Sequence, residues 1–297
     1  MRLTRHASFI AILLFFVGFS LNSSSYAQQT GKKLPDLKLA SKLMGREMSY
    51  RVVLPPDYNS SVDGPVNKAG SRYPVIYLLH GLTGNFANWT DKTKLTEYAS
   101  NHRYIIVTPD GGDGWYTDSV SAPNDKYESY IVKELIPEVD KTYRTIAARD
   151  GRVIAGLSMG GYGSVKFGMK YPEMFALIGS FSGALGATSW TEKNAGAIGK
   201  SMDAVFGLDV AAASRTSNDI FKMARELTPD KVKSLPYVYQ SCGTEDFLIQ
   251  NNRDFLKLLN DAKVPHEYRE HPGIHDWVFW DDQVREFLDL ADRRLKK

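Results

Sequence analysis

The residues most suited to chemistry in this sequence form a Gly-x-Ser-x-Gly pattern centred on Ser158. An apolar run at 153–155 precedes the pattern and predicts a buried strand, and a helix-compatible segment follows it to Tyr171. A serine at such a sharp strand-to-helix turn is held in a strained conformation with its hydroxyl clear of the sheet, and Gly156 and Gly160 leave room for the bend. The pattern therefore predicts a nucleophilic serine; a glycine-rich turn that holds an ordinary serine is the alternative.

A serine hydroxyl needs a base within hydrogen-bond reach to act as a nucleophile at neutral pH. His275 is the candidate, because it follows the serine in the chain and lies in a loop just after the last predicted strand. His271, beside that strand, is the alternative base, although we expect a structural role for it. We expect His80 to hold the shape of its own loop and His102 to be solvated.

The base in turn needs a carboxylate that fixes its tautomer and stabilises its charged form. Asp246 is the candidate, because it lies in the loop after a predicted strand at 237–241, between the serine and the histidine in chain order. Glu245 and Asp276 are its competitors, and each could be an ordinary surface charge.

The negative oxygen of a tetrahedral intermediate needs two backbone N–H donors. Met159, directly after the serine, is predicted to supply one from a helix N-terminus, where the helix dipole favours negative charge. Leu82, in the glycine-bracketed loop 80–84, is predicted to supply the other. Trp115 and Tyr116 are candidate substrate contacts, and packing roles are the alternative for these aromatic residues.

These loops must be held by buried strands, and the sequence supplies them from residue 74 onward. Apolar runs that predict strands alternate there with helix-periodic segments, at 74–79, 104–108, 153–155, 176–180 and 237–241, and residues 266–270 are predicted to form a last short strand. The alternation predicts an α/β fold with a mostly parallel, doubly wound sheet. Residues 28–35 predict a polar lead-in, and residues 37–44 and 47–54 predict an antiparallel hairpin at the edge of the sheet. Helices are predicted at 91–101 and at 127–143, where Pro137 should kink or restart the second helix. Residues 181–235 predict a small cap insertion with helices near 202–206 and 217–226.

Length and composition fit one such domain. The chain has 297 residues, is 43% hydrophobic and carries a formal net charge of +3. A charge so close to balance gives no indication of a nucleic-acid partner. The single cysteine, Cys242, excludes an intramolecular disulfide and reads as a small buried residue. We expect neither a metal site nor a cofactor.

Residues 1–27 are typical of a cleaved signal peptide. The segment has a positive start, an apolar run at 9–19 that is short for a membrane span, and small residues at 25–27. We expect cleavage after Ala27, a secreted or periplasmic catalytic domain at 28–297, and no membrane anchor after cleavage. An uncleaved N-terminal anchor is the alternative.

Five motifs together resemble the putative-esterase family of α/β-hydrolases, which includes feruloyl and acetyl xylan esterases, tributyrin esterases, S-formylglutathione hydrolases and bacterial mycolyltransferases. The motifs lie at 77–81, 109–112, 156–163, 243–246 and 275–277. The resemblance covers roughly residues 37–295. The stretch 114–117 is similar to the feruloyl and tributyrin esterase branch, and it lacks the Asp-Thr-Ser-Pro-Arg-Gly motif usual in S-formylglutathione hydrolases.

The resemblance implies an α/β-hydrolase fold and a serine carboxylesterase with Ser158 as nucleophile, His275 as base and Asp246 as triad acid, and the N-terminal segment predicts that this enzyme is secreted. It implies Leu82 and Met159 as the oxyanion-hole donors. The implied substrates are short-chain acyl, acetyl or feruloyl esters, either small molecules or linked to carbohydrate. Two alternatives stay open: an acyltransferase with a sugar or lipid alcohol as acceptor, and a non-catalytic binding protein on the same fold.

Overall fold

The computed structural model describes residues 31–58 and 70–295. The predicted signal peptide and its cleavage site after Ala27 lie outside the described residues. Within those ranges, no helix combines the length and the apolar character that a membrane crossing would need.

One sheet of nine strands runs through the described part of the chain. The strands are β1 Lys32–Lys33, β2 Leu37–Ser41, β3 Arg46–Leu54, β4 Val75–Leu79, β5 Ile105–Pro109, β6 Arg152–Leu157, β7 Leu177–Phe181, β8 Tyr237–Gly243 and β9 His266–His271. Their spatial order is β1-β3-β5-β4-β6-β7-β8-β9, and β2 also pairs with β3. The strands from β5 to β9 in this order are parallel, whereas β3 is antiparallel to β1, β2 and β5. The predicted mostly parallel sheet with an antiparallel hairpin is therefore confirmed.

Helices connect these strands, and several of them pack against the sheet. They are α1 Asn88–Lys92, α2 Leu95–Tyr98, α3 Tyr127–Tyr130, α4 Ile136–Thr142, α5 Met159–Lys170, α6 Glu192–Phe206, α7 Ala213–Thr216, α8 Ile220–Arg225, α9 Pro229–Ser234, α10 Ile249–Asp261 and α11 Trp277–Leu295. Successive side chains of β4 enter two different cores: Tyr77 packs in one, and Ile76 and Leu78 pack in the other. Both faces of the sheet are therefore covered, as a doubly wound fold requires.

Some elements differ from their predictions. Residues 28–35 were expected to be a polar lead-in, but Lys32–Lys33 pairs with the end of β3 as a short edge strand. The helix predicted at 91–101 is broken into α1, α2 and a short 3₁₀ turn. The helix predicted at 127–143 is interrupted by a π-helical stretch, Ile131–Leu135, directly before Pro137 in the first turn of α4. Proline cannot donate a backbone hydrogen bond to the preceding turn, which gives the restart a physical cause.

The segment between β7 and β8 contains four helices, α6 to α9, rather than a single crossover helix. The first of them is longer than the helix predicted near 202–206, and it contains a non-helical residue, Gly196, at φ 56°. Its N-terminus is closed by a capping box between Thr191 and Asn194. This segment provides one wall of the site described next.

Candidate active site

All of the loops that carry predicted functional residues lie at the carboxyl ends of parallel strands. Ser158 follows β6, Asp246 follows β8 and His275 follows β9, while Leu82 follows β4 and Trp115 follows β5. Because neighbouring parallel strands end at the same edge, the topology brings distant parts of the chain together there.

Ser158 occupies the turn between β6 and α5 in a strained conformation, with φ 52° and ψ −114°. Its N–H donates to Phe181 O at 2.9 Å, which ties the turn to the neighbouring strand. The turn needs a glycine at position 160, because a Cβ there would lie 2.5 Å from Leu79 O and 2.7 Å from His80 O. The predicted elbow geometry is thus present, with the serine at its apex.

The three predicted polar side chains form one hydrogen-bonded chain. His275 Nε2 lies 3.0 Å from Ser158 Oγ, and His275 Nδ1 lies 2.8 Å from Asp246 Oδ2. A carboxylate next to Nδ1 fixes the proton on that nitrogen, so the lone pair of Nε2 faces the serine hydroxyl. The geometry lets the imidazole accept the proton of Ser158 as the oxygen attacks.

Asp246 is held as a carboxylate inside the protein. Its side chain is buried, and its second oxygen, Oδ1, accepts from Leu248 N–H at 2.8 Å. Burial by itself raises the pKa of this group, but the hydrogen bond and charge of His275, the Leu248 N–H and the Ser182 hydroxyl outweigh burial and hold the pKa below its ordinary value. Asp246 is therefore ionised at neutral pH and can stabilise a charged imidazole.

The alternatives considered for base and acid lie elsewhere. His271 Nε2 is 3.6 Å from Glu286, at the end of β9. Glu245 is exposed and accepts from Gly273 N–H at 2.7 Å, which shapes the loop before His275. Asp276 accepts from Phe279 N–H at 3.0 Å and caps α11. None of the three takes part in the chain of hydrogen bonds to Ser158.

The two residues predicted to donate N–H groups are Met159 and Leu82. Met159 is the first residue of α5, where the helix's own carbonyls do not reach the backbone N–H. Leu82 lies in the loop after β4 and lines the same cavity as Ser158. His80 fixes that loop, because its Nδ1 lies 2.7 Å from Gly81 O and its Nε2 accepts from Gly111 N–H at 2.8 Å. The structural role expected for His80 is confirmed.

Sequence reasoning missed the residues that surround the imidazole. The rings of Phe247 and Trp280 lie 4.7 Å and 4.9 Å from the His275 ring, centre to centre. Trp280 Nε1 donates to Ser182 Oγ at 3.2 Å, so the tryptophan and the hydroxyl that supports Asp246 are joined. The sequence did contain a signal for Trp280. Residues three apart on a helix lie on the same face, so Trp280 lies on the same face of α11 as Trp277, the first residue of that helix.

A cavity of about 390 Å³ opens above Ser158. Its aromatic walls come from Trp115, Trp190, Phe247, Trp277 and Trp280. Its lining also includes Thr83, Asn88, Lys92, Ile198 and Asp276. A cavity of this size and lining suits a small, largely apolar ligand with a polar end.

The two predicted substrate contacts, Trp115 and Tyr116, have different positions. Trp115 lines the cavity and is fixed by a 2.9 Å hydrogen bond from its Nε1 to Ser201 Oγ. Tyr116 is fully buried beneath it and donates to His80 O at 3.0 Å. Both residues have positive φ, and this sharp turn sends the two rings to different places. The expectation that Tyr116 contacts substrate is therefore corrected: its ring supports the loop after β4.

A buried ion pair supports the Trp115–Tyr116 turn from below. Lys166 of α5 is fully buried, donates to Tyr116 O at 2.7 Å and lies 3.0 Å from Glu128 Oε2. Burial alone raises the pKa of Glu128, but the charges of Lys166 and Lys170 outweigh it and lower the pKa to about 2. The helix that follows Ser158 is thereby joined to the loop that carries Trp115.

Replacing Glu128 with glutamine should lower the free energy of unfolding by about 3–5 kcal/mol, because the buried ammonium of Lys166 loses its counter-charge. Urea unfolding at pH 7 measures this loss. Glu226→Gln is the matched control, because Glu226 pairs with Lys222 on the surface, and we expect it to change the free energy by less than about 0.5 kcal/mol.

The same variant tests the pH dependence. The pKa of Glu128 is lower in the folded protein than its ordinary value of 4.5, so its contribution is complete above pH 4.5 and is lost as the pH falls toward about 2. Between pH 4.5 and about 2, the free energy of unfolding of the wild-type protein should therefore fall by more than that of Glu128→Gln. Equal acid sensitivity of the two proteins would show that the ion pair does not contribute.

Comparisons with known proteins agree with this geometry. A model of the putative-esterase family matches residues 41–288. An acetyl esterase of Caldicellulosiruptor saccharolyticus is 29% identical over 254 residues, which cover 82% of this chain and 92% of that protein. The esterase Rv1288 of Mycobacterium tuberculosis is 29% identical over an alignment that covers 96% of this chain but 65% of that protein, so this chain spans about two thirds of that relative.

Solved structures show the same fold. FphF, a fluorophosphonate-binding serine hydrolase of Staphylococcus aureus, is 25% identical with a TM-score of 0.73, covering 88% of this chain and 98% of that chain. A ferulic acid esterase is 28% identical with a TM-score of 0.74, covering 89% of this chain and 98% of that chain. With a family model that spans most of the sequence and an α/β-hydrolase architecture around Ser158, this chain belongs to the putative-esterase family and is a serine esterase.

Proposed function

We propose that this protein is a secreted serine carboxylesterase that hydrolyses short-chain acyl, acetyl or feruloyl esters through an acyl-enzyme. The observation that carries the proposal is the continuous hydrogen-bonded chain from Asp246 through His275 to Ser158, with the serine lining an open cavity. This arrangement supports nucleophilic attack on an ester carbonyl.

In the first half of the reaction, Ser158 Oγ attacks the carbonyl carbon while His275 Nε2 takes its proton. The oxygen that becomes negative is stabilised by the N–H groups of Met159 and Leu82. Asp246 stabilises the imidazolium, which then protonates the departing alcohol oxygen. The acyl group stays on Ser158 as an ester.

In the second half, water enters the site vacated by the alcohol. His275 removes a proton from that water as its oxygen attacks the acyl carbon, and the same two N–H groups hold the second oxyanion. The imidazolium then returns its proton to Ser158 Oγ, which leaves the carboxylic acid as product. Each half uses the same proton acceptor.

The cavity supports small or planar acyl groups. Trp115 and Trp190 stand with ring centres 6.3 Å apart and nearly perpendicular planes, and Ile198 completes this side. These two rings already contact each other edge-to-face, so an acetyl or planar aromatic acyl group would pack against the apolar wall that they form with Ile198, not between them. The names of two similar proteins, an acetyl esterase and a ferulic acid esterase, support the same two acyl classes.

The proposal is tested by assaying protein 28–297 against p-nitrophenyl acetate, p-nitrophenyl butyrate, methyl ferulate and acetylated xylan. We expect free acid from at least one acetyl or feruloyl ester, together with stoichiometric fluorophosphonate labelling of the peptide that contains Ser158. Product analysis with glycerol present tests the acyltransferase alternative, since a transferase would form more glyceryl ester than free acid. Absence of both hydrolysis and labelling would contradict the esterase proposal.

Secretion has its own test. We expect the exported protein to begin at Gln28, because small residues precede that position and an apolar run lies upstream. N-terminal sequencing of protein recovered outside the cytoplasm measures this. Recovery of full-length protein in the membrane fraction would instead support the uncleaved anchor.

A further inference from the structure

Lys92 is a positive charge at the cavity mouth that the reaction described above does not use. Among the described residues that line the cavity, it is the single lysine or arginine. It ends helix α1 and is exposed, and its ammonium lies 5.2 Å from the ring centre of Trp277. The ring fixes the position of the cation without neutralising it.

The carboxylates near Lys92 are engaged with other groups. Asp91 pairs with Arg51 at 2.7 Å and with Lys33 at 3.5 Å. Asp276, the acidic residue that lines the cavity, accepts from Phe279 N–H and caps α11. Within the described residues, no carboxylate lies within 4 Å of the Lys92 ammonium, so its charge is available to a ligand.

The position of Lys92 identifies the part of the substrate that it meets. In ester hydrolysis the departing alcohol oxygen must receive a proton from His275, so the alcohol lies on the His275 side of the cavity. Trp277, on which Lys92 stacks, is two residues from His275, and Asn88 lines the cavity from the same short helix as Lys92. We assign the acyl group to the wall formed by Trp115 and Trp190, where no lysine or arginine is found among the described lining residues.

We propose, building on the esterase function above, that Lys92 forms an anion subsite for the alcohol part of the substrate, and that this enzyme favours esters whose alcohol carries a carboxylate. A carboxylate suits a single ammonium, whereas a phosphate dianion is usually bound by several donors. The subsite acts on binding and orientation, since Ser158 and His275 carry out the chemistry.

The test uses two ester pairs that place a carboxylate on opposite sides of the same bond. 4-Acetoxybenzoate and methyl 4-acetoxybenzoate differ in charge on the leaving group. Phenyl hydrogen succinate and phenyl butyrate differ in charge on the acyl group. For each pair, the ratio of kcat/KM for the charged to the uncharged ester is compared between wild type and variants, which cancels the intrinsic reactivity of the esters.

Lys92→Met should lower the charged-to-uncharged ratio for the acetoxybenzoate pair about five-fold at 50 mM salt, mainly through KM. Lys92→Arg should retain most of the wild-type ratio, because it keeps the charge. Lys94→Met is the matched control: this exposed lysine is two residues away but does not line the cavity, and its ratio should equal that of wild type. The wild-type preference should also shrink at 500 mM salt.

The outcomes separate this inference from the function on which it rests. An unchanged acetoxybenzoate ratio in Lys92→Met would overturn the anion subsite while leaving the esterase intact. An equal fall in the charged-to-uncharged ratio of the succinate and butyrate pair would also overturn the anion subsite, because the effect of Lys92 would then not be specific to the alcohol side. Failure of wild type to hydrolyse even the uncharged esters would contradict the proposed function, and the subsite with it.

Discussion

Replacing Ser158 with alanine should lower kcat/KM for acetyl or feruloyl ester hydrolysis by about 10⁴-fold or more. The serine oxygen lies 3.0 Å from His275 Nε2, and alanine removes the atom that would carry the acyl group. The N–H donors at Leu82 and Met159 and the aromatic cavity all remain. A small rate above the uncatalysed reaction should therefore persist.

The loss should occur without unfolding. Ser158 already has a positive φ, and alanine accepts that backbone about as well as serine does. The melting temperature of Ser158→Ala should therefore stay within about 2–4 °C of wild type, because no core contact is removed. Ser217→Ala, an exposed serine far from the cavity lining, is the control and should keep full activity.

A double variant shows whether serine and histidine act as one unit. His275→Ala should cost nearly as much activity as Ser158→Ala, and the double variant should cost little more than either alone, since each single change already disables the same step. Multiplicative losses would mean that the two residues act independently. Retention of fluorophosphonate labelling in Ser158→Ala would place the nucleophile at another residue.

The meeting of Ser158, Asp246 and His275 could be predicted because each signal was local and the fold rule was general. A glycine-flanked serine after an apolar strand specifies its own turn, and parallel strands end at one edge. Chain order and loop position then distinguish His275 from the other histidines and Asp246 from the other acidic residues. No tertiary distance had to be known for this step.

Side-chain burial in loops could not be predicted in the same way. Trp115 and Tyr116 are adjacent aromatic residues with the same sign of φ, yet one lines the cavity and the other is buried beneath it. His102 was expected to be solvated, but it is buried, with Nδ1 3.1 Å from Asp292 of α11. Its partner is nearly two hundred residues away in sequence, so no local pattern could reveal it.

The side chains that form the cavity walls could not be predicted for the same reason. Phe247 follows Asp246 by one residue, but its contact with His275 depends on how the loops after β8 and β9 approach one another. Lys92 lines the cavity from α1, which spans Asn88–Lys92, whereas a single helix at 91–101 was predicted. Hydrophobic periodicity places helices against a sheet, whereas loop-to-loop packing decides which side chains face a ligand.

Replacing Asp246 with asparagine should lower kcat/KM at neutral pH by about 10⁴-fold, although the side chain keeps nearly the same shape. Asp246 accepts from His275 Nδ1–H through Oδ2 and from Leu248 N–H through Oδ1, in addition to the Ser182 hydroxyl. Asparagine has one accepting oxygen and one donating NH₂ group, so it cannot satisfy both His275 and Leu248. The variant must either lose the buried backbone bond or present a donor to the imidazole.

The second of these choices determines the chemistry. If the asparagine oxygen stays on Leu248 N–H, its NH₂ group faces Nδ1, and His275 must carry its proton on Nε2 instead. That nitrogen then donates toward Ser158 and can no longer accept the hydroxyl proton, so the nucleophile is not activated. Glu245→Gln, the same change one residue earlier, keeps an acceptor for Gly273 N–H and should retain activity. Near wild-type kcat/KM in Asp246→Asn would mean that the carboxylate does not set the tautomer, whereas a large loss with unchanged fluorescence and melting temperature would trace the defect to one misplaced proton.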